Sequence, residues 1–362
     1  MKSYVFLFGK NKDLSKLEIV SYLIKKKLKY NIVKIIDEYA IIDIDNFDSK
    51  KAINQLGGIL KIAEFFEIKD IQIYKNKILY GVNFFYNDEE IIEELKKLFK
   101  QEKVKAFWKK PKKGNVFSPK ESKKLDIELI VFKNKIARVS ANSNPSLFKE
   151  RDENRPYFDK LKVTSLRLCK ILINLSQVNE NEILLDPFVG AGSVLQEALI
   201  LGINVIGVDI DSASVEGSVR NLTWIKEKYR LKPKFNVYNI DNKNIDTLIE
   251  NVDGVVTEPY FGPFFKKIPK YEDVVKISKE VETMYLELFK KLKTIVKKNG
   301  IIVFLVPVYK TSNGKIKINF ENIIKELNFQ VYSPLNTVKM PVKYSLKGSI
   351  VEREIFILKN SF

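Results

Sequence analysis

The sequence of 362 residues contains no histidine and only one cysteine, Cys169. Without histidine there is no histidine general base, which excludes Ser-His-Asp and Cys-His catalysis. A single cysteine allows no disulfide within the chain, and a zinc site built on Cys and His clusters is excluded, so we expect no bound metal. Cys169 lies in the apolar helical pattern SLRLCKILINL and is predicted to be a core residue rather than a nucleophile.

Long hydrophobic runs are also missing. The run GIIVFLVPV, which starts at Gly300, is about half as long as a bilayer span, so no transmembrane helix is predicted. The first residues, MKSYVFLFGKNKDLSK, contain too short an apolar stretch for a secretion signal. We therefore expect a cytoplasmic protein with no membrane partner.

Acidic residues are in deficit: 45 Asp and Glu stand against 63 Lys and Arg, a net charge of +18. Such an excess favours binding to a polyanion. Residues 96–124 hold twelve lysines and two acidic residues, with Phe99, Phe107, Trp108 and Phe117 among them. This mixture favours nucleic-acid binding, although a lysine-rich composition or a solvated helix and loop would look similar. We predict RNA contacts by Lys109, Lys110, Lys112 and Lys113.

The first part of the chain, residues 1–146, alternates short strands and helices in an α+β pattern. The predicted strands are SYVFLFG, YAIIDID and ILYGVNFFY, followed by the hairpin LDIELIVFKNKIARVSA. The predicted helices are DLSKLEIVSYLIKKK, SKKAINQLGG and DEEIIEELKKLFKQ. This pattern predicts one or two small α+β units.

The second part, residues 155–362, alternates strands and helices strictly after the helix VTSLRLCKILINLS. The predicted strands are EILLD, NVIGVD, KFNVYNI, DGVVTE, GIIVFLVPV, FQVYSP and EREIFILK. The pattern predicts an α/β fold with a seven-stranded, mostly parallel sheet, in which the last two strands add an antiparallel hairpin. Ligands of such sheets bind beyond the carboxyl ends of the strands.

Four consecutive predicted strands end in an acidic residue, namely Asp186, Asp209, Asp241 and Glu258. Acidic residues are common at strand ends and helix N-caps, which would explain any one of them. Four at one edge of a sheet, beside a glycine-rich turn, indicate a binding site.

The glycine-rich turn follows the first of these strands and reads DPFVGAGSVLQ. Gly190 and Gly192 permit a tight turn and close backbone approach, and Ser193 begins a helix whose amides point at a ligand. The turn lacks the lysine of a phosphate-binding loop and the third glycine of the dinucleotide fingerprint. Asp209 stands where a carboxylate can accept both ribose hydroxyls, and Asp241 where one could accept an adenine amine.

The stretch LLDPFVGAGSVLQEALILGINVIGVDID closely resembles the nucleoside-binding half of S-adenosylmethionine-dependent amino-methyltransferases. The upstream stretch RPYFDKLKVTSLRLCKILINLS resembles a segment of the tRNA guanine-N2 methyltransferases that carry a THUMP domain, where it closes over the cofactor's methionine end. The resemblance is strong over residues 155–262. Over residues 1–146, order and charge imply a ferredoxin-like plus THUMP-like RNA-binding region.

This resemblance implies that residues 155–362 form a Rossmann-like methyltransferase domain whose cofactor is S-adenosyl-L-methionine and whose partner is RNA, most simply tRNA. A small activator subunit is a further expectation. The implied cofactor-binding residues are Thr164, Asp186, Phe188, Gly190, Gly192, Ser193, Asp209, Ile210 and Asp241.

The fourth strand end reads DGVVTEPYFGPF. Where the family has Asp-Pro-Pro-Tyr-Gly, this chain has Glu258, Pro259, Tyr260, Phe261 and Gly262. By the resemblance, the Glu258 carboxylate and the Pro259 carbonyl accept hydrogen bonds from the exocyclic amine of the target base, and Phe261 stacks on the base. These three residues are therefore the predicted catalytic residues, acting by positioning and electrostatics. Glutamate is one methylene longer than the family's aspartate, and Tyr260 replaces a rigid proline.

The sequence leaves other functions open. A DNA adenine-N6 or cytosine-N4 amino-methyltransferase would use the same strand ends on a flipped base. A noncatalytic RNA-binding relative would keep the fold without turnover. A 5-methylcytosine enzyme is excluded because it needs a cysteine near the fourth strand, and Cys169 is elsewhere. A dehydrogenase is disfavoured because the basic first part would then have no role.

Overall fold

Two β-sheets organise the chain in a computed structural model, which describes residues 1–86, 88–159, 164–346 and 348–362. The chain divides into two units, one formed by residues 1–16 with 27–149 and the other by residues 17–26 with 150–362. Residues 160–163, part of the segment expected over the cofactor's methionine end, lie outside the described residues.

The described residues of the first unit form eight strands. They are β1 (Lys2–Phe8), β2 (Tyr30–Ile35), β3 (Tyr39–Ile44), β4 (Ile59–Phe66), β5 (Lys77–Phe84), β6 (Lys105–Lys109), β7 (Ile127–Phe132) and β8 (Lys135–Asn142). Helices α1 (Lys12–Lys25), α2 (Ser49–Gln55), α3 (Glu89–Gln101) and α4 (Pro119–Ser122) connect them, and a 3₁₀ turn spans Ile68–Asp70. The residues of α1 from Leu17 onward group with the second unit.

These strands form one sheet in the order β2-β3-β1-β4-β8-β7-β5-β6. Only β7, β5 and β6 run parallel to one another. The predicted helices and the β7–β8 hairpin are confirmed. The sequence patterns miss β2 and β6 because these edge strands are largely exposed and rich in polar residues, and they miss β4 because Lys61 and Glu64 interrupt its apolar pattern.

In the part of the second unit that the structure describes there are nine strands. They are β9 (Ile183–Asp186), β10 (Asn204–Asp209), β11 (Phe235–Asn239), β12 (Val252–Thr257), β13 (Val296–Thr311), β14 (Gly314–Lys317), β15 (Gln330–Val331), β16 (Val342–Tyr344) and β17 (Val351–Lys359). The helices are α5 (Pro145–Asn154), α6 (Leu166–Leu175), α7 (Ser193–Ile200), α8 (Ser212–Tyr229), α9 (Tyr271–Ile295) and α10 (Phe320–Glu326), with a 3₁₀ turn at Asn242–Thr247. Helix α5 precedes these strands and crosses the boundary between the units, because residues 145–149 belong to the first unit and 150–154 to the second.

The sheet of this unit follows the path β11-β10-β9-β12-β13-β17-β15. The first five strands of the path are parallel. Strand β17 pairs antiparallel with β13, and β15 pairs antiparallel with β17, so the predicted seven-stranded, mostly parallel sheet is confirmed. Two short strands add to it: β14 pairs with β13 and β16 with β17. The chain order reverses on either side of β9, and this switch point is where open α/β sheets bind ligands.

Apolar side chains fill the space beneath this sheet. Tyr285 and Phe289 of α9 pack edge-on against Phe304 of β13, and Phe320 of α10 stacks on the same ring. Cys169 is fully buried and burial raises the pKa of its thiol, as expected of a core residue. Among the residues that the structure describes, no helix is long and apolar enough to cross a bilayer.

Candidate active site

The four acidic residues named from the sequence lie at or just beyond the carboxyl ends of neighbouring strands. Asp186 and Asp209 are the last residues of β9 and β10, and Glu258 follows β12 directly. Asp241 comes two residues after β11, where its side chain caps the 3₁₀ turn. Because β9 to β12 are parallel and adjacent, these ends meet at one edge of the sheet.

Asp186 is the buried centre of this edge, with 2% of its surface exposed. Its Oδ1 atom accepts hydrogen bonds from the Phe188 backbone N–H at 3.1 Å and from the Thr257 hydroxyl at 2.6 Å. The pKa of Asp186 is raised to about 7, chiefly by burial; the hydrogen bonds from Thr257 and Phe188 lower it, and the charges of Asp209 and Glu258 raise it. The structure therefore brings three of the strand-end carboxylates within electrostatic reach of one another.

The glycine-rich turn holds the start of α7 close to β10. Gly190 and Gly192 both have positive φ, at 50° and 76°. A Cβ on Gly192 would lie 3.1 Å from the Cβ of Ser218, so both conformation and space favour glycine there. The Ser193 hydroxyl is buried and accepts a hydrogen bond from Arg155 at 3.0 Å. Ser193 can therefore offer a ligand its backbone amide rather than its side chain.

Asp209 ties the second strand to that turn. Its Oδ2 atom accepts the Gly190 N–H at 2.9 Å, and its Oδ1 atom accepts the Asp211 N–H at 3.0 Å. The next residue, Ile210, is 70% exposed, an unusual position for an isoleucine at the end of a buried strand. An exposed apolar side chain beside a carboxylate suits a ligand that has a flat ring and a sugar.

Two asparagines hold the third strand end to its neighbours. Asn239 donates to the carbonyls of Asp209 and Ile210 at 3.0 and 2.9 Å, and Asn242 donates to the carbonyl of Pro187 at 2.7 Å. Asp241 accepts the Lys243 N–H through one oxygen. The side-chain Oδ1 atom of Asn242 is buried and has no hydrogen-bond partner in the described part of the chain. A buried polar atom without a partner at this edge is consistent with a ligand or water completing the site.

Glu258 is held at both of its carboxylate oxygens. The Oε1 atom accepts a hydrogen bond from Arg353 Nε at 2.6 Å, and the Oε2 atom accepts one from the Thr164 hydroxyl at 2.5 Å. Arg353 lies on β17, 95 residues later in the chain. Thr164, predicted to bind the cofactor, thus contacts the predicted catalytic carboxylate. Each carboxylate oxygen has a second lone pair, so Glu258 can accept two further hydrogen bonds.

Hydrogen bonds from two tyrosine side chains fix the backbone after Glu258. The Tyr285 hydroxyl donates to the carbonyl of Tyr260 at 3.0 Å, and the Tyr309 hydroxyl donates to the carbonyl of Phe261 at 2.8 Å. Burial raises the pKa of both hydroxyls, which therefore remain protonated donors. Gly262 then turns the chain with a φ of 89°, and a Cβ there would lie 2.6 Å from Ile277.

The predicted pocket residues take different positions on this rigid loop. Pro259 is buried, whereas Tyr260 is 54% exposed. Phe261 is half-buried, and the Arg353 guanidinium carbon lies 5.5 Å from the centroid of its ring. Arg353 thus contacts both the acid and the aromatic ring expected to bind the base, and it pairs a positive charge with each.

Sequence reasoning missed several of these residues. Arg353 lies in the predicted strand EREIFILK, between Glu352 and Glu354 and just before an apolar run, and a charge at that place in a strand predicted to join the sheet is a usable signal. Tyr309 ends the apolar run of β13 in the same way. Tyr285 carries no such signal, because it continues the apolar stripe of α9.

The lysine-rich segment belongs to the first unit. Two of the four aromatic residues in this segment, Phe99 and Phe117, are buried in its core and present no ring to a nucleic acid. Phe107 and Trp108, on the edge strand β6, are 50% and 38% exposed. The Nζ atoms of Lys77 and Lys110 lie 5.2 and 5.0 Å from their ring centroids.

The four lysines predicted to bind RNA lie at the end of this strand and just after it. Lys110, Lys112 and Lys113 are exposed, and Lys109 is partly buried. Glu121 shapes the loop, since its carboxylate accepts the backbone N–H groups of Lys112 and Ser118 and the Ser118 hydroxyl. These bonds, the hydroxyl first, lower the pKa of Glu121 to about 2.

The sheet order and the strand-end loop define the class of this protein as an α/β methyltransferase fold. A family model described as an RMKL-like methyltransferase domain matches residues 157–335. A second model, described as a DNA methylase, matches residues 36–220. The crystal structure of TrmN from Thermus thermophilus aligns over 99% of both chains with a TM-score of 0.50 and 12% identity, a likeness of fold alone.

Curated relatives narrow this class. A protein of Methanothermococcus thermolithotrophicus named "Probable tRNA (guanine(10)-N2)-dimethyltransferase" is 31% identical over 157 residues, covering 43% of this chain and 85% of that one. The tRNA (guanine(10)-N2)-dimethyltransferase of Methanocaldococcus jannaschii is 33% identical over 164 residues, but the chain spans only 42% of its length. The chain belongs to the tRNA (guanine-N2) methyltransferase family.

Proposed function

We propose that this protein is an S-adenosylmethionine-dependent RNA methyltransferase that methylates the exocyclic N2 amine of a guanosine in tRNA. The observation that carries the proposal is the fixed loop after β12. Its acid is held by Arg353 and Thr164, and its two following carbonyls are held by Tyr285 and Tyr309. A carboxylate held this firmly pays little reorganisation cost when it aligns an amine.

Glu258 is the residue proposed to bind the amine. Its free lone pairs can accept the two N–H groups of an exocyclic amine, which fixes the direction of the nitrogen lone pair. The Phe261 ring supplies a face for the base, and stacking positions it before reaction. A carboxylate is also a suitable acceptor for the proton that the nitrogen loses after methylation.

The residues at the other strand ends fit a nucleoside cofactor. Asp209 offers a carboxylate for the ribose hydroxyls, exposed Ile210 offers an apolar contact for the adenine, and Asp241 offers an acceptor for its amine. Gly190 and Gly192 leave room for close approach of the backbone. When bound, S-adenosylmethionine would supply a methyl group activated by a positively charged sulfur. The carboxylates of Asp186, Asp209 and Glu258 stand at the same edge of the sheet and would favour that positive charge.

RNA is the proposed partner because of the charge and the exposed rings of the first unit. Exposed lysines beside Phe107 and Trp108 combine phosphate contacts with stacking surfaces. The names of the curated relatives support tRNA as the RNA. The THUMP-like character of residues 1–146, a small activator subunit and a cytoplasmic location stay predictions.

A DNA amino-methyltransferase is the second candidate, because the DNA methylase model matches residues 36–220. The chemistry at Glu258 would be the same, with an adenine N6 or cytosine N4 amine in place of guanine N2. The two candidates differ in the nucleic acid and in the methylated nucleoside, and both can be read in one assay.

The test is incubation of the purified protein with labelled S-adenosylmethionine and, separately, tRNA, rRNA and DNA, followed by nucleoside analysis. The proposal expects label in N2-methylguanosine from tRNA. Glu258→Ala should lower single-turnover methyl transfer by about 10²- to 10³-fold with nearly intact cofactor and tRNA binding. The matched control is Glu250→Ala, which removes an exposed carboxylate before β12 and should leave the rate unchanged.

Three outcomes would contradict the proposal. Label in N6-methyladenine or N4-methylcytosine of DNA would establish the second candidate instead. Cofactor binding without transfer to any nucleic acid would point to a noncatalytic relative. Full turnover by the Glu258→Ala variant would remove the loop after β12 from the active site.

A further inference from the structure

The segment that follows the active-site loop, residues 260–271, exposes apolar side chains although its backbone is fixed. Tyr260, Phe264 and Ile268 are 54%, 65% and 59% exposed. Isolated apolar residues on a surface are ordinary, but these three, followed by Tyr271 at 39%, come from one short segment beside a candidate active site and indicate a contact surface.

Contacts at every fourth residue hold the 260–271 segment in place. The Phe261 carbonyl accepts the Tyr309 hydroxyl at 2.8 Å, and the Phe265 ring packs edge-on against Tyr309 with centroids 6.3 Å apart. The Pro269 carbonyl accepts the Ser312 N–H at 3.2 Å. Anchored positions therefore recur every four residues, and each follows directly after an exposed one. This repeat keeps the three exposed side chains in solvent without making the segment loose.

The charge of the 260–271 segment is of one sign. Lys266, Lys267 and Lys270 are exposed between the apolar side chains, and acidic residues begin only at Glu272 and Asp273, in the first turn of α9. Exposed rings interleaved with lysines match the chemistry of a single nucleic-acid strand, which presents base faces and phosphates in alternation. A protein partner could also contact these rings, but three lysines with no acidic residue among residues 260–271 favour a polyanion.

We propose that the 260–271 segment binds the unpaired nucleotides next to the target base, with Tyr260 and Phe264 stacking on bases and the three lysines contacting phosphates. This inference rests on the proposed function, because it takes the substrate to be RNA. The segment begins two residues after Glu258, so a strand lying on it would lead its next base toward the carboxylate. It would thereby select a target guanosine by the accessibility of its neighbours.

The experiment measures binding of a fluorescein-labelled, eight-nucleotide single-stranded RNA to the full chain by anisotropy, without cofactor. Tyr260→Ala combined with Phe264→Ala should weaken binding by about tenfold or more, because each stacked base contributes substantially. Tyr260→Phe combined with Phe264→Tyr keeps both rings and should bind as the parent does. Leu248→Ala combined with Phe362→Ala is the matched control, since both side chains are exposed and lie by the amino end of β12 and the carboxyl end of β17, at the opposite edge of the sheet.

The lysines are tested through salt dependence. Replacing Lys266, Lys267 and Lys270 by Gln should reduce the slope of log affinity against log salt by about 2, since each phosphate contact on a single strand contributes roughly 0.7. Replacing Lys232, Lys234 and Lys298 by Gln changes the net charge equally at the amino ends of β11 and β13 and should leave most of the slope intact.

If the variant with alanine at Tyr260 and Phe264 binds RNA as tightly as the control with alanine at Leu248 and Phe362, the inference is overturned. The exposed apolar side chains of the segment would then indicate a protein partner. Equal salt slopes for the two lysine variants would overturn the phosphate contacts. Because the assay contains no cofactor and reads no methyl transfer, its failure is distinct from failure of the proposed function. If these variants lose RNA binding but the parent protein methylates no RNA, the RNA-binding role of the 260–271 segment would be supported and the proposed methyltransferase activity refuted.

Discussion

Replacing Asp186 by asparagine should stabilise the second unit at alkaline pH relative to the parent chain. Asp186 is buried, and its pKa in the folded protein is raised to about 7 from an ordinary value of 3.8. The folded state therefore holds this proton more tightly than the unfolded state does. Between those two values the parent loses stability as the pH rises, and above pH 7 the full penalty of burying the charge remains.

The magnitude follows from the size of the pKa difference. About three pH units at 1.36 kcal/mol each give a penalty of roughly 4 kcal/mol above pH 7, of which somewhat more than a third is already present at pH 5. Asparagine carries no charge and so has no such penalty. Its carbonyl oxygen can keep the bonds from Phe188 and Thr257, because both donate to the same oxygen of Asp186. The stability difference between variant and parent should therefore grow by about 3 kcal/mol from pH 5 to pH 8.

Urea unfolding of the cofactor-free protein measures this difference. The chain has two tryptophans, Trp108 in the first unit and Trp224 in the second, so a Trp108→Phe background makes fluorescence report the second unit. Glu250→Gln, at an exposed carboxylate, is the control and should show no such trend. A difference between Asp186→Asn and parent that stays flat or shrinks from pH 5 to pH 8 would refute the reasoning about buried charge.

Other predictions concern binding and turnover. Arg353→Met removes the hydrogen bond to Glu258 but keeps the side-chain length, and it should lower single-turnover methyl transfer about 10- to 100-fold while tRNA affinity changes little. Arg353→Lys should recover part of the rate, and an unchanged rate in Arg353→Met would mean that the pair is only structural. Asp209→Ala should weaken S-adenosylmethionine binding by about 1.5–3 kcal/mol in calorimetry, and unchanged affinity in a folded variant would remove Asp209 from the site. Replacing Lys109, Lys110, Lys112 and Lys113 by alanine should weaken tRNA binding and flatten its salt dependence while cofactor affinity stays unchanged. A salt slope equal to that of the parent would mean that this lysine-rich segment is only a solvated surface.

Much of the second unit could be predicted because its strands are short apolar runs that stop at charged residues. The acids Asp186, Asp209 and Glu258 mark those stops, and parallel pairing places them at one edge. The strand β14 and the three-residue β16 could not be predicted, since so few residues carry no periodic signal.

The contacts inside the site were less predictable, because they join positions far apart in sequence. That the carboxylate of Glu258 meets Arg353 depends on the antiparallel pairing of β17 with β13, which periodicity does not specify. The burial of Phe99 and Phe117 shows the same limit: lysines on either side of a residue do not reveal which face of its helix or loop is covered. Charge density predicted the segment, and packing decided which of its rings remain available.

The contact between Glu258 and Arg353 has a consequence for how the family's sequences can diverge. An aspartate at position 258 would end one methylene earlier and leave the guanidinium of Arg353 without its carboxylate, and a one-residue slip of β17 would turn the arginine to the other face of the sheet. Substitutions at these two positions are therefore expected to occur together during descent. Relatives that carry the shorter acid should have an uncharged residue opposite Pro307 in the last long strand, and the glutamate should be inherited with its arginine.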